Sequence, residues 1–208
     1  MPIAEDNLIF DLDGTLFDSA PEILVCLKKA LQLNNIDIND NLNKSIIGPP
    51  LKETLKNLVQ KKDTVKIDKI IENFIELYDS DYCYKTKLYK GVQETLKILE
   101  KKKNLILITN KRIVPTEKML KNSKIIELFD NYFSVDPSDQ SKKDKSTLIS
   151  KTIKDYKINP QNTAYIGDTM GDFIASKQNN IKFIFAGWVY GKYVEDADLH
   201  LTDIREML

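Results

Sequence analysis

The stretch Asn7-Leu8-Ile9-Phe10-Asp11-Leu12-Asp13-Gly14-Thr15 decides how the chain is interpreted. Its first four residues predict a short buried strand, and two carboxylates follow where that strand ends. Residues two apart in extended chain point the same way, so Asp11 and Asp13 face one spot beyond the strand. Gly14 allows a sharp turn there. Two like charges a few ångströms apart repel by roughly 4 kcal/mol at an effective dielectric constant near 20, so the pair requires a cation, a shared proton or open water.

Farther along the chain, short apolar runs alternate with helical periodicity. Helices are expected from Val92 to about Lys102, up to about Phe129, from about Lys145, and from about Gly171 to Gln178. The apolar runs are Leu105–Ile108, Tyr132–Val135, Ala164–Ile166 and Phe183–Ala186. Strands alternating with helices of this length predict βαβ units, and therefore an α/β fold with a parallel sheet covered on both faces.

Between the first strand and the second, the chain has a different character. From Ala20 to about Tyr78 the apolar residues recur at helical spacing, interrupted by Asn34-Asn35 and by Gly48-Pro49-Pro50. We predict an all-helical unit over residues 17–85, inserted into a core made of residues 1–16 and 86–208. It is an insertion, because the first strand alone cannot form a core.

Polar side chains follow two further strands of the predicted sheet. Ala164–Ile166 leads to Gly167-Asp168, and Asp172 follows four residues later on the same face of a helix. The strand Leu105–Ile108 ends at Thr109-Asn110-Lys111. Ligands of open α/β sheets bind beyond the carboxyl ends of the strands. Oxygen ligands suit a hard cation, and Mg²⁺ is the usual one where a phosphate shares its coordination shell.

Composition excludes several classes of function. Lys+Arg and Asp+Glu both number 31, and this zero net charge argues against a nucleic-acid partner. Two cysteines, Cys26 and Cys83, are too few for a disulfide framework and favour a reduced, cytoplasmic protein. No apolar run reaches the roughly 18 residues of a membrane span, so no membrane partner is expected. The single histidine, His200, has no nucleophile motif beside it, which disfavours a histidine triad.

Three motifs together resemble those of the haloacid dehalogenase superfamily of phosphohydrolases, in the family's order. They are Phe10-Asp11-Leu12-Asp13-Gly14-Thr15-Leu16, Thr109-Asn110-Lys111 and Gly167-Asp168-Thr169-Met170-Gly171-Asp172. Ile47-Gly48-Pro49-Pro50-Leu51 and Trp188-Val189-Tyr190-Gly191 are similar to the phosphoglycolate phosphatase branch. The resemblance implies a Rossmann-like core with a helical cap, and a small phosphorylated metabolite as substrate.

The resemblance also implies roles for individual residues. Asp11 would attack phosphorus and form an aspartyl-phosphate. Asp13 would protonate the leaving alkoxide and then take a proton from the attacking water. Thr109 and Asn110 would donate hydrogen bonds to the phosphoryl oxygens. The Mg²⁺ ligands would be Asp11, the backbone carbonyl of Asp13, and Asp168, with Asp172 in support.

The active-site lysine is less clearly indicated. Many relatives carry it in a Lys-Pro pair, which this chain lacks in the region of Lys142, Lys143 and Lys145. Asp144 is a good N-cap residue, which would place Lys145 at the first position of the next helix, close to its positive end. Counting back from Gly167-Asp168 by the spacing of Lys-Pro relatives lands instead on Lys143. We favour Lys145 and keep Lys143 as the alternative.

These observations predict a Mg²⁺-dependent phosphatase for a small phosphomonoester. A phosphosugar mutase of the same superfamily is the first alternative, because it shares both aspartates. A non-catalytic binding or regulatory module on this fold is the second, since fold alone does not establish function. A dehalogenase is disfavoured, because a departing halide needs no proton from Asp13.

Overall fold

The computed structural model describes residues 3–37, 42–47, 51–59, 64–136, 138–188 and 192–208. The chain divides into two compact units. One consists of Met1–Asp18 and Lys87–Leu208, and the other of Ser19–Thr86. The predicted turn at Gly48-Pro49-Pro50 and the motif residues 189–191 lie outside the described residues.

The first unit is built on a parallel sheet. The strands of this unit are, in chain order, β1 (Asn7–Phe10), β2 (Phe17–Asp18), β3 (Lys87–Leu88), β4 (Asn104–Thr109), β5 (Asn131–Ser134), β6 (Thr163–Gly167), β7 (Lys182–Ala186) and β8 (Leu199–Leu201). The short strands β2 and β3 form a separate antiparallel pair. The main sheet has the order β5-β4-β1-β6-β7-β8, and all its neighbours pair in parallel. The predicted Rossmann-like α/β fold is confirmed.

The central strand β1 sets the position of the functional residues. Phe10 is in register with Leu107 of β4 and with Ile166 of β6. Leu8, Ile9 and Phe10 are completely buried, as expected for a strand covered on both faces. Because β1, β4 and β6 run in the same direction, the residues that follow them emerge at one edge of the sheet.

The second unit is helical, as the periodicity predicts. Its first and third helices pack against each other, and both contribute buried side chains, among them Cys26 and Leu27 of the first and Ile70 and Phe74 of the third. Its helices are α1 (Ala20–Leu33), α2 (Leu51–Leu58), α3 (Thr64–Leu77) and α4 (Cys83–Lys85), and a π-helical turn at Tyr78–Tyr82 joins the last two.

The helices of the first unit are α5 (Val92–Leu99), α6 (Ile113–Asn122), α7 (Lys145–Asp155) and α8 (Met170–Gln178). The expectation that α6 continues to Phe129 is wrong, because Lys124 adopts a left-handed conformation and ends the helix. A short 3₁₀ turn, Ile126–Leu128, occupies the remaining residues. The strand β8 is an addition to the strands that the sequence predicts. None of the helices in the described parts of the chain is both long enough and apolar enough to cross a membrane.

Candidate active site

Asp11 is the first residue after β1, and the backbone holds it in place. Its N–H donates to the carbonyl of Ile166 in the neighbouring strand at 2.9 Å. The chain then turns back on itself, and the Gly14 N–H donates to the Phe17 carbonyl at 2.9 Å. The Asp11 side chain is buried. The sheet and this turn together direct a carboxylate into the interior at the carboxyl edge.

The turn after β1 contacts the end of β6 closely. Gly14 has a φ of +82°, and a Cβ at this position would lie 2.3 Å from Oδ2 of Asp168. The Thr15 hydroxyl donates to Oδ1 of Asp168 at 3.5 Å, and the Trp188 indole N–H donates to the Thr15 carbonyl at 3.0 Å. Asp168 is itself buried. Only glycine leaves room for this carboxylate.

Asp172 belongs to a capping box at the start of α8. The Thr169 hydroxyl accepts a hydrogen bond from the Asp172 N–H at 3.2 Å. In return, Oδ2 of Asp172 accepts from the Thr169 N–H at 3.0 Å and from its hydroxyl at 2.7 Å. Asp172 is completely buried, so its carboxylate is held in one orientation.

Lys145 connects two of these carboxylates. It is the first residue of α7, whose N-cap Asp144 accepts a hydrogen bond from the Thr147 N–H at 2.8 Å. Its Nζ lies 3.0 Å from Oδ1 of Asp11 and contacts Oδ1 of Asp172. Lys145 is buried, whereas Lys143 is exposed. The structure therefore brings Lys145, and not Lys143, to the cluster.

Burial perturbs the charges of the cluster strongly. It raises the pKa of Asp11 to about 7, although Lys145 opposes the shift. Burial and the neighbouring charges of Asp172 and Asp11 raise the pKa of Asp168 well above its usual range. Burial alone would lower the pKa of Lys145, but the charges of Asp11 and Asp172 raise it well above its usual value. The carboxylates are thus close together and incompletely neutralised.

These residues fit a divalent metal ion. Carboxylate oxygens of Asp11, Asp168 and Asp172 all lie within 4.8 Å of one another. Three carboxylates face one ammonium, so full ionisation of this cluster leaves two negative charges uncompensated. Oδ1 of Asp11 is buried and, despite its ion pair with Lys145, accepts no well-directed hydrogen bond. A site that offers only oxygen ligands and carries two uncompensated negative charges suits a hard divalent cation.

The remaining predicted residues lie at the same edge of the sheet. Thr109 ends β4 and is buried, and Asn110 follows it and is exposed. Lys111 has no role in the resemblance described above, but its Nζ lies 3.0 and 3.1 Å from the two carboxylate oxygens of Asp13. The signal that could have identified Lys111 is its place directly after Thr109-Asn110, in a motif at a strand end.

The fold and the site define a hydrolase of the haloacid dehalogenase type. The family model described as haloacid dehalogenase-like hydrolase matches residues 8–186. The chain belongs to this family.

Curated relatives and solved structures agree with this assignment. A phosphoglycolate phosphatase of Aquifex aeolicus is 31% identical over 192 residues, covering 89% of this chain and 86% of the relative. A phosphoglycolate phosphatase of Colwellia psychrerythraea is 28% identical over 206 residues, covering 93% and 89%. The structure of a haloacid dehalogenase-like hydrolase from Streptococcus pneumoniae superimposes with a TM-score of 0.88 at 21% identity, covering 98% and 96%. This structural likeness supports the fold. Membership of the family, together with these phosphatase relatives, makes the chain a phosphoric monoester hydrolase of the phosphoglycolate phosphatase-like branch.

Proposed function

We propose that the protein is a Mg²⁺-dependent phosphatase that hydrolyses a small phosphomonoester, with phosphoglycolate as the first candidate, through an aspartyl-phosphate at Asp11. The observation that carries the proposal is the buried cluster in which Lys145 pairs with Asp11 while Asp168 and Asp172 lie within reach of the same point. The names of the Aquifex and Colwellia relatives support phosphoglycolate.

In this proposal the carboxylates of Asp11 and Asp168 and the backbone carbonyl of Asp13 would hold the cation. Asp172 has a supporting role, because its two carboxylate oxygens already have partners. Oδ2 accepts hydrogen bonds from Thr169 in the α8 cap, and Oδ1 contacts Lys145. When bound, Mg²⁺ neutralises negative charge on the transferring phosphoryl group and on the carboxylates. Oxygen donors around a phosphate-sharing site favour Mg²⁺ over softer metals.

The side chains account for both halves of the reaction. An Asp11 oxygen bonds to phosphorus while the bond to the ester oxygen breaks, and Asp13 gives its proton to that oxygen. A water oxygen then attacks phosphorus, the bond to Asp11 breaks, and Asp13 accepts the proton of the water. Thr109 and Asn110 donate hydrogen bonds to the phosphoryl oxygens, and Lys145 balances their charge.

The test is a panel of phosphorylated metabolites and one aryl phosphate, assayed for release of inorganic phosphate with Mg²⁺ present. We expect phosphate release, with kcat/KM highest for a small phosphomonoester. Acid-quenched enzyme should carry an added phosphoryl mass on the peptide containing Asp11, and the Asp11→Asn variant should carry none. Isomerised phosphosugars without phosphate release would indicate a mutase, and the absence of turnover throughout would exclude an enzyme for these esters.

A further inference from the structure

The pair between Lys111 and Asp13 is well shielded from water. Nζ of Lys111 lies 3.1 Å from Oδ1 and 3.0 Å from Oδ2 of Asp13, so one ammonium binds both oxygens. The Lys111 side chain is only 8% exposed and that of Asp13 is 21% exposed. Lysine is rarely buried to this extent without an anionic partner, and here Asp13 is such a partner.

The fold explains why the two side chains meet. Asp13 follows β1 and Lys111 follows β4, and these strands are neighbours in the sheet. The Lys111 N–H donates to the Thr109 hydroxyl at 3.2 Å, which fixes the backbone from which the lysine extends. Lys111 is thus anchored to the strand end and reaches across to the turn after β1.

The contact limits where the Asp13 carboxylate can lie. Binding of both oxygens by one ammonium holds the carboxyl group at a set place relative to the end of β4, from which Lys111 extends. Each oxygen retains a second lone pair that can accept a proton. The Asp13 side chain is still 21% exposed, so water can reach it. The carboxylate is therefore held in place and is still able to act as a base.

We propose that Lys111 is a positioning residue that holds Asp13 in place for hydrolysis of the aspartyl-phosphate. This inference rests on the proposed function, which makes Asp13 the base of that step. The water oxygen forms a bond to phosphorus, the bond between phosphorus and Asp11 breaks with its electron pair returning to Asp11, and one proton of the water passes to Asp13. Asp13 keeps that proton for the next leaving group that needs one, and releases it to solvent when the leaving group, such as p-nitrophenolate, needs none. Lys111 acts through Asp13 and touches neither the water nor phosphorus.

The experiment uses the full chain with Mg²⁺ and p-nitrophenyl phosphate, whose leaving group needs no proton. We expect Lys111→Met to lower kcat by about 10- to 100-fold through misplacement of the base. We expect kcat/KM to stay within about threefold, because it reports phosphorylation of the enzyme, so KM falls with kcat. Acid quenching should show Asp11-phosphoenzyme at a high fraction of the total enzyme, and nitrophenol should appear in a burst.

Matched variants separate the outcomes. Lys111→Arg should restore kcat to within a few fold, since arginine also binds both oxygens of a carboxylate. Lys142→Met removes a half-exposed lysine paired with Asp139 and should leave all parameters unchanged. Lys111→Gln, which keeps a polar side chain, replaces Lys111→Met if the latter does not fold, and the same loss of kcat and accumulation of phosphoenzyme are expected.

Two results would overturn the inference while leaving the proposed function intact. One is an unchanged kcat in Lys111→Met. The other is a parallel fall of kcat and kcat/KM without phosphoenzyme, while Asp13→Asn accumulates it. If neither Asp13→Asn nor any Lys111 variant accumulates phosphoenzyme, the covalent mechanism fails, and the inference fails with it.

Discussion

Nζ of Lys145 lies 3.0 Å from Oδ1 of Asp11, although the two residues are 134 positions apart in the chain. The contact is buried on both sides, with side-chain exposures of 8% and 9%. The N-cap of α7 fixes the start of the helix that carries the lysine, and the carboxyl end of β1 fixes the aspartate. Two rigid elements therefore determine this distance, and loop flexibility contributes little to it.

The first prediction concerns the role of Lys145. A positioned cation facing transition-state charge is worth about 10²–10³ in kcat, by analogy with lost oxyanion donors, so Lys145→Ala should lower kcat by that factor. Lys143→Ala and Lys142→Ala should cost less than about twofold, because Lys143 is exposed and Lys142 pairs with Asp139. Steady-state kinetics of the three variants is the measurement, and a large loss only in Lys143→Ala would assign the role to Lys143.

The second prediction concerns the nucleophile. An amide side chain at this position cannot form an acyl-phosphate, so Asp11→Asn should reduce kcat by at least about 10³-fold. The substitution removes one of three crowded negative charges as well as the ion pair with Lys145, and we expect the melting temperature to change by only a few degrees. Circular dichroism and turnover of the same preparation check both statements. Near-normal activity in metal-replete buffer would exclude Asp11 as the nucleophile.

The third prediction concerns the metal. Mg²⁺ at about 100 times its dissociation constant should stabilise the fold by about 2.7 kcal/mol, which corresponds to a rise in melting temperature of about 5–10 °C. Asp168→Asn should abolish most of that rise, because Asp168 is a buried carboxylate of the cluster. Asp139→Asn removes a half-exposed carboxylate paired with Lys142 and should keep the rise. Thermal denaturation with and without a chelator is the measurement. Equal shifts in both variants would place the cation elsewhere.

Much of the fold follows directly from the sequence. The bounds of β1 and the start of α7 at Lys145 behind its N-cap Asp144 are as predicted. A continuous apolar run and a capping residue are local signals, and they are strong here. The strand β8 has only three residues, two of them half-buried, so its pattern is too short to be recognised. The early end of α6 depends on the left-handed conformation of Lys124, which the sequence does not mark.

The site could be predicted only as far as strand ends determine it. Asp11 and Asp168 directly follow neighbouring strands, and the structure brings them together. The pair between Lys111 and Asp13 depends on how far a lysine reaches between two loops, which no local pattern encodes. The capping role of Asp172 could have been predicted, because Thr169 and Asp172 have the spacing of a capping box.

The fourth prediction concerns pH and a carboxylate distant in sequence from these motifs. Asp198 accepts hydrogen bonds from Nζ of Lys177 at 2.6 and 2.7 Å and from the Phe183 N–H at 2.7 Å. Burial alone would raise the pKa of Asp198, but these hydrogen bonds outweigh it and hold the pKa below the usual value. A depressed carboxyl pKa adds stability at pH values above the unfolded pKa, and that stability is lost as the pH falls through the folded pKa.

We therefore expect Asp198→Asn to lower the free energy of unfolding by about 1 kcal/mol at neutral pH, since solvent screens part of the ion pair. The difference between the variant and the parent should shrink as the pH falls below about 4, where an aspartate of the unfolded chain becomes protonated, and disappear once the pH is below the lower folded pKa of Asp198. Urea unfolding across this range is the measurement. A difference that stays constant with pH would mean that the charge of Asp198 is not what stabilises the fold.

The last prediction concerns Gly14 and Gly171, two glycines near the carboxylates of the candidate active site. Gly14 has a φ of +82°, and an added Cβ would lie 2.3 Å from Oδ2 of Asp168. The left-handed conformation alone costs an alanine about 1–2 kcal/mol, and relief of the clash requires Asp168 to move. We expect Gly14→Ala to lower both the melting temperature and the apparent affinity for Mg²⁺, the latter by at least about tenfold.

Gly171 is the matched control, because it lies in α8 and its added Cβ would be 3.5 Å from the Thr169 hydroxyl, an ordinary contact. Gly171→Ala should leave the Mg²⁺ dependence unchanged and stabilise the fold by about 0.5–1 kcal/mol, as alanine does in helices. Magnesium titrations of activity and thermal melts of both variants are the measurements. If Gly14→Ala behaves like Gly171→Ala, the close approach of the turn to Asp168 does not position the metal ligand.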